Sequence, residues 1–135
     1  MFLKITDLDT VILTEERIEI TRNDETVVIA MLKVAEQEMR TYLADSYDVD
    51  AIFSAVDDDR DAMLVKLGAD IAAYHLVGRD QAGQDNEDRR RRYDRSIAWL
   101  KAANKSERYS DLPKLETPDN SEIIHGSNRK RNNYY

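Results

Sequence analysis

A chain of 135 residues with no cysteine and a net charge of −7 has room for one domain and an arm, and excludes a disulfide framework or a thiolate metal site. No apolar run approaches the roughly 20 residues of a membrane-spanning helix. Asp7 and Asp9 enter too early for a secretory signal, so the chain reads as soluble and unexported. The negative balance argues against sequence-independent DNA binding as the main role.

In chain order, the first residues, MFLKI, form a short extended segment or a lead-in. Thr6 followed by Asp9 has the form of a capping box and predicts a short helix over about 7–12. Thr14, with Glu15 and Glu16 behind it, predicts a second short helical turn. From Asn23 to Tyr47 the apolar pattern becomes strong. Val28, Leu32, Ala35, Met39 and Tyr42 recur at spacings of three and four, and Val27, Met31, Val34 and Leu43 widen the stripe. That face is roughly 100° wide and must be buried. The pattern predicts the central helix of an all-helical protein, capped by Asn23 or Asp24.

Between Asp48 and Asp58 the periodicity breaks into a loop or single turn anchored by Ile52, Phe53 and Val56, with Phe53 expected to plug the core. A second long helix follows over about 59–78. Its stripe is Met63, Leu67, Ile71 and Tyr74, thickened by Leu64, Ala72 and Leu76. Asp57 to Asp59 are its expected N-terminal cap, and Gly78 its stop. A polar connection leads to a third helix over about 86–104, with Tyr93, Ile97 and Leu100 on its apolar side and Trp99 and Ala103 beside them. After Lys105 the periodicity is lost. The fold class is therefore all-α: a bundle of three main helices (about 23–45, 59–78 and 86–104) with short N-terminal helical turns. Residues 1–104 form the helical domain, and 105–135 an arm that is disordered or laid over a partner.

Motifs for enzyme chemistry are missing: there is no HExxH, P-loop, GxSxG or nucleotide-binding glycine pattern, so the chain reads as non-enzymatic and without cofactor. His75 has Ile71 and Arg79 four residues away, which are not metal ligands, and reads as structural or solvated. Asp48 and Asp50 begin like a calcium loop, but Ile52 replaces the third ligand and the glycine is missing. Asp70 falls on the apolar stripe of the second helix, where a carboxylate is costly unless paired. It is either an active-site acid or an acceptor for a Tyr, Arg or backbone amide of a neighbouring helix, and the missing second titrating group favours the structural role.

Charge is unevenly placed. Asp57, Asp58, Asp59 and Asp61 form an acidic knot, and Arg89, Arg90, Arg91, Arg92 and Arg95 a basic one. Glu87 and Asp88 stand four residues before Arg91 and Arg92, in the better order for helical ion pairs, and Asp94 stands four after Arg90. Much of the run is thus locally neutralised, which favours a solvated or subunit-facing surface over phosphate contact. Arg129, Lys130 and Arg131, followed by Tyr134 and Tyr135, have no acid among the last ten residues. That pairing of charge and rings suits a partner-binding arm.

Several blocks, in order, carry a family resemblance: Ala35-Glu36-Gln37-Glu38 leading to Tyr42-Leu43-Ala44 and Tyr47; Asp70-Ile71-Ala72 with Tyr74 and Leu76; Arg92-Tyr93-Asp94 with Ile97 and Trp99-Leu100; and Gly126-Ser127-Asn128 with Lys130-Arg131-Asn132-Asn133. Over roughly residues 7–135 the chain resembles the Mu-like phage protein 36 family of head–tail connector or head-completion proteins. It departs from that pattern in lacking prolines after Tyr47 and a glycine at the end of the last helix. The resemblance implies a virion protein of the neck region, assembled in the host bacterial cytoplasm. It further implies a ring of copies, often a dodecamer, beneath the portal, with portal protein and tail-side connectors as partners. A ring requires two different, complementary faces on each copy, and the acidic and basic knots are opposite in sign. The alternative is a helical nucleic-acid-binding or DNA-packaging accessory module that uses the arginine run and the arm.

Overall fold

A computed structural model describes residues 1–78, 87–105 and 111–116. The described chain is helical: α1 (Ile5–Leu8), α2 (Thr14–Thr21), α3 (Glu25–Leu43), α4 (Val49–Phe53), a 3-10 turn at Asp57–Asp59, α5 (Ala62–Gly78) and α6 (Glu87–Lys105). The three long helices form the bundle that the periodicity predicts. Tyr74 stacks on Tyr93 at 4.3 Å, while Leu67 and Asp70 share a cleft with Ser96 and Trp99, so α5 and α6 run antiparallel. Glu38 meets Tyr93 and Ser46 meets Asn104, so α3 and α6 run in the same direction.

The centre of this bundle is α5, and here the structure corrects the expectation that α3 is central. Leu64, Leu67, Gly68, Ala69, Asp70, Ile71, Ala72, Ala73, Leu76 and Val77 are all buried, which leaves α5 little solvent face. It packs against α3, α6 and α1. A helix buried all round shows weak apolar periodicity because nearly every position is apolar or small. Two residues of its expected stripe lie toward the edge: Met63 is 46% exposed and Tyr74 half-buried. On α3, Val28, Leu32, Ala35, Met39 and Leu43 are buried as expected. Val34, expected to widen the stripe, is 44% exposed, because α3 faces the core on one side only.

Local chemistry sets the helix boundaries. Asp24, rather than Asn23, caps α3 by accepting from the Thr26 N–H at 3.0 Å, satisfying one of the first-turn donors. Before it, Arg22 and Asn23 adopt left-handed φ values of 53° and 60°. Their amides donate to Glu19 O and Ile18 O, a Schellman closure of α2 made without glycine. Asp61 caps α5 by accepting from the Leu64 N–H at 2.9 Å; Asp57 to Asp59, the expected cap, form the separate 3-10 turn instead. Gly78 is the last residue within α5 rather than a stop beyond it. Phe53 plugs the core as expected, edge-on to Phe2 at 5.0 Å.

The N-terminus contributes more than a lead-in. Phe2 and Leu3 are fully buried. The first short helix covers Ile5–Leu8 rather than 7–12, with the Asp7 carboxylate accepting from the Lys4 N–H at 2.7 Å. Asp7 is also gripped by Arg60, whose Nη1 and Nη2 donate at 2.6 and 3.2 Å, while Nη1 donates as well to Phe2 O at 2.8 Å. The hydrogen bond with Asp7 holds the Arg60 guanidinium above its ordinary pKa. Both side chains are nearly buried, so each is costly without the other. Beside this pair a Cβ on Gly68 would lie 2.8 Å from both Leu3 methyls and from Met39 Cε. The missing side chain lets the N-terminal segment lie directly on α5.

Part of the segment expected to leave the body is bound to it. Leu112 is buried in the core, Asp48 N donates to Pro113 O at 2.9 Å, and Leu115 N donates to Ser46 O at 3.2 Å. Tyr47 and Lys114 form an antiparallel bridge, and the buried Tyr47 hydroxyl donates to Ala103 O at 2.9 Å. An arm that begins at 105 therefore does not describe residues 111–116. Residues 106–110 and 117–135 lie outside the described residues.

Two stability predictions follow from the N-terminal packing. Asp7→Ala lowers the free energy of unfolding in urea by about 3 kcal/mol because it strands a buried guanidinium. Combined with Arg60→Ala, the two losses fall short of additive by more than about 1 kcal/mol; additive losses would show that the pair is not coupled. Gly68→Ala loses about 1 kcal/mol net, since overpacking outweighs the gain in helix propensity. Gly78→Ala, where a Cβ meets nothing within 4 Å, loses none; equal melting temperatures for the two variants would refute the close approach.

Candidate functional site

The acidic knot divides by role. Asp57 sits in a left-handed conformation with φ 49° and is ion-paired with Lys4. The hydrogen bond from that lysine holds its carboxyl below the ordinary carboxylate range. Asp61 is spent on the cap of α5. Asp58 and Asp59 are exposed and, among the described residues, have no ion-pair partner. Two exposed apolar side chains flank the turn, Val56 at 60% and Met63 at 46%.

The basic knot divides too. Arg91 pairs with Glu87 at 2.7 Å and Arg92 with Asp88 at 3.1 Å, the spacing read from the sequence. The expected Arg90–Asp94 pair is not formed. Arg89 turns inward: it donates to Val11 O at 2.6 Å and approaches Glu16 at 3.8 Å, pinning the start of α6 to the link between α1 and α2. Arg90 and Arg95 are exposed and, among the described residues, lack an ion-pair partner. The two knots do not meet within one chain. The acidic knot precedes the first residue of α5, whereas Arg92 and Arg95 lie beside Lys66 and Asp70, part-way along that helix.

Asp70 is buried, 4% exposed, but its partner differs from the expected one. Lys66, one turn earlier on the same helix, donates to Oδ2 at 2.9 Å, and Oδ1 is buried without any partner. The carboxylate therefore does not lock α5 to a neighbouring helix. It lines a cleft of about 280 Å³ between α5 and α6, with Lys66, Leu67, Arg92, Arg95, Ser96 and Trp99 around it.

His75, judged from its own helix alone, has a partner from another. Its Nε2 lies 2.9 Å from Glu38 Oε2, and Tyr93 donates to the other Glu38 oxygen at 2.5 Å. Burial, followed by the bond to Glu38, pushes the Tyr93 phenol above its ordinary pKa. With Tyr74 stacked on Tyr93, this cluster ties α3, α5 and α6 together. Glu38 falls outside the apolar stripe of its helix, and only the tertiary fold brings it to His75 and Tyr93. Asp48 and Asp50, the calcium-like pair, cap α4 and bind Arg40 at 2.9 Å respectively. Among the described residues no group of three His, Asp or Glu side chains is placed to hold a metal ion, and no helix is long and apolar enough to cross a membrane. The arm residues Arg129, Lys130, Arg131, Tyr134 and Tyr135 lie outside the described residues.

Comparison with known proteins adds one finding. A family model described as Bacteriophage Mu, Gp36 matches residues 2–124. Neither the curated proteins nor the solved structures gave a match. The match takes in all six helices and the bound segment at 111–116: the chain belongs to the bacteriophage Mu Gp36 family, and the protein is a phage protein.

Proposed function

We propose that this phage protein is a structural, non-enzymatic head–tail connector that completes the filled head as an adaptor ring beneath the portal. The observation that carries the reading is the layout of charge on a small helical body. Exposed carboxylates at Asp58 and Asp59 come from the turn before α5 and exposed guanidinium groups at Arg90 and Arg95 from α6, so the two signs of charge belong to different elements, which suits repeated head-to-tail contacts. Apart from Asp70, polar groups of the interior hold elements together: Asp7 with Arg60, Glu38 with His75 and Tyr93, and Tyr47 with Ala103. In this reading the cationic, tyrosine-ended arm docks on the portal or on a tail-side protein, and contact with DNA is secondary.

The test is to mix the purified protein with DNA-filled, tail-less heads that carry a portal, and to image the product. A ring of added density at the portal vertex is the expected result, reduced when Arg129, Lys130 and Arg131 are replaced by alanine. Density absent from the vertex would contradict the proposal. So would retention on free DNA with a steep loss of affinity as salt rises, the signature of phosphate contacts.

A further inference from the structure

We propose that the cleft between α5 and α6 is a socket for the acidic turn of a neighbouring copy of this chain. The inference rests on the ring reading above and specifies which two surfaces meet. The socket is lined by three cations, Lys66, Arg92 and Arg95, against one carboxylate, Asp70. Lys66 already neutralises Asp70 and Asp88 offsets Arg92, which leaves Arg95 as uncompensated positive charge at the rim. Leu67 and Trp99 add apolar surface. On the floor, the partnerless Oδ1 of Asp70 is a buried acceptor that calls for a donor, and an incoming backbone N–H can supply it.

The same chain carries a matching plug. The turn Asp57–Asp59 presents two carboxylates without ion-pair partners among the described residues, and the left-handed Asp57 shapes it. Exposed Val56 beside it supplies an apolar contact for Trp99, while exposed Met63, one turn before Leu67 on α5, extends the apolar rim of the socket. Both charge and apolar surface therefore correspond, which suits a specific interface better than charge alone.

The tethers of the turn hold it outside the cleft of its own copy, whose lining does not include it. The turn is tethered through Lys4 and Arg60 to the N-terminal segment, which lies on α5 at Gly68. The socket opens on α5 at Asp70, two residues on and thus about 200° around the helix. The turn precedes the first residue of α5, and the socket opens further along the same helix. A contact between the turn of one copy and the cleft of the next joins two different surfaces and is heterologous, the kind that propagates into a ring.

The absence of cysteine makes the contact measurable. Val56→Cys places a thiol beside the turn, Ala98→Cys one beside the socket, and Ala30→Cys one at an exposed control position on α3, all without touching the charges. Under mild oxidation, in solution and on portal-bearing heads, the Val56→Cys and Ala98→Cys variants join at least about tenfold faster than either joins Ala30→Cys, the scale of electrostatic steering. Adding Arg92→Glu and Arg95→Glu to the socket variant abolishes the difference. Equal rates for all pairs overturn the proposal, as does an acceleration that survives the charge reversal. Shielding of the Ala98 thiol by DNA or by portal protein, without acceleration in the mixture, also overturns it. Heads that still gather the protein while the thiols fail to join would remove this interface and leave the connector reading standing.

Discussion

The burial of α5 on nearly every side is the constraint that the rest of the structure satisfies. Small residues make it possible. Gly68, Ala69, Ala72 and Ala73 let neighbouring elements approach closely, while Leu64, Leu67, Ile71, Leu76 and Val77 supply the apolar surface that draws them in. α3 and α6 cover two sides, and the N-terminal segment, with Phe2 and Leu3 fully buried, covers another. The Asp7–Arg60 pair holds that segment in place, and the Glu38–His75–Tyr93 cluster clasps the three long helices from the side.

The sequence made the number, order and approximate limits of the long helices legible, because α3 and α6 are surface helices whose buried faces repeat at helical spacing. The ion pairs of α6 were legible for the same local reason. Rank among the helices was not. α3 has the clearest stripe and reads as central, yet a clear stripe means that the opposite side faces water. α5 is apolar almost throughout, and periodicity is a weak guide to such a helix.

The contacts that side-chain spacing does not show join residues far apart in the chain. Asp7 and Arg60 are 53 positions apart, Glu38 and His75 are 37 apart, and Tyr47 reaches Ala103 across 56. No local pattern announces such pairs. The acids at 57–59 resembled a cap because they immediately precede a helix, but Asp61 stands at the required spacing from Leu64. Pro113 and Leu115, in a stretch without periodicity, are held by backbone bonds to the segment after α3, a use of extended chain that side-chain spacing does not reveal. At the candidate site, the residues themselves were legible as charged clusters, whereas the cleft around Asp70 appears only once α5 and α6 are packed.

With the interior committed to holding α5, the features left for interaction are the unpaired charges, the exposed apolar residues beside them and the cleft between α5 and α6. The account thus stands on α5 as the inner element, and native-state hydrogen exchange tests that most directly. The amides of Leu67 to Leu76 are predicted to exchange most slowly, at the rate set by global unfolding, while those in the first half of α3 exchange faster. Slowest exchange in α3, with α5 opening ahead of it, would contradict the account.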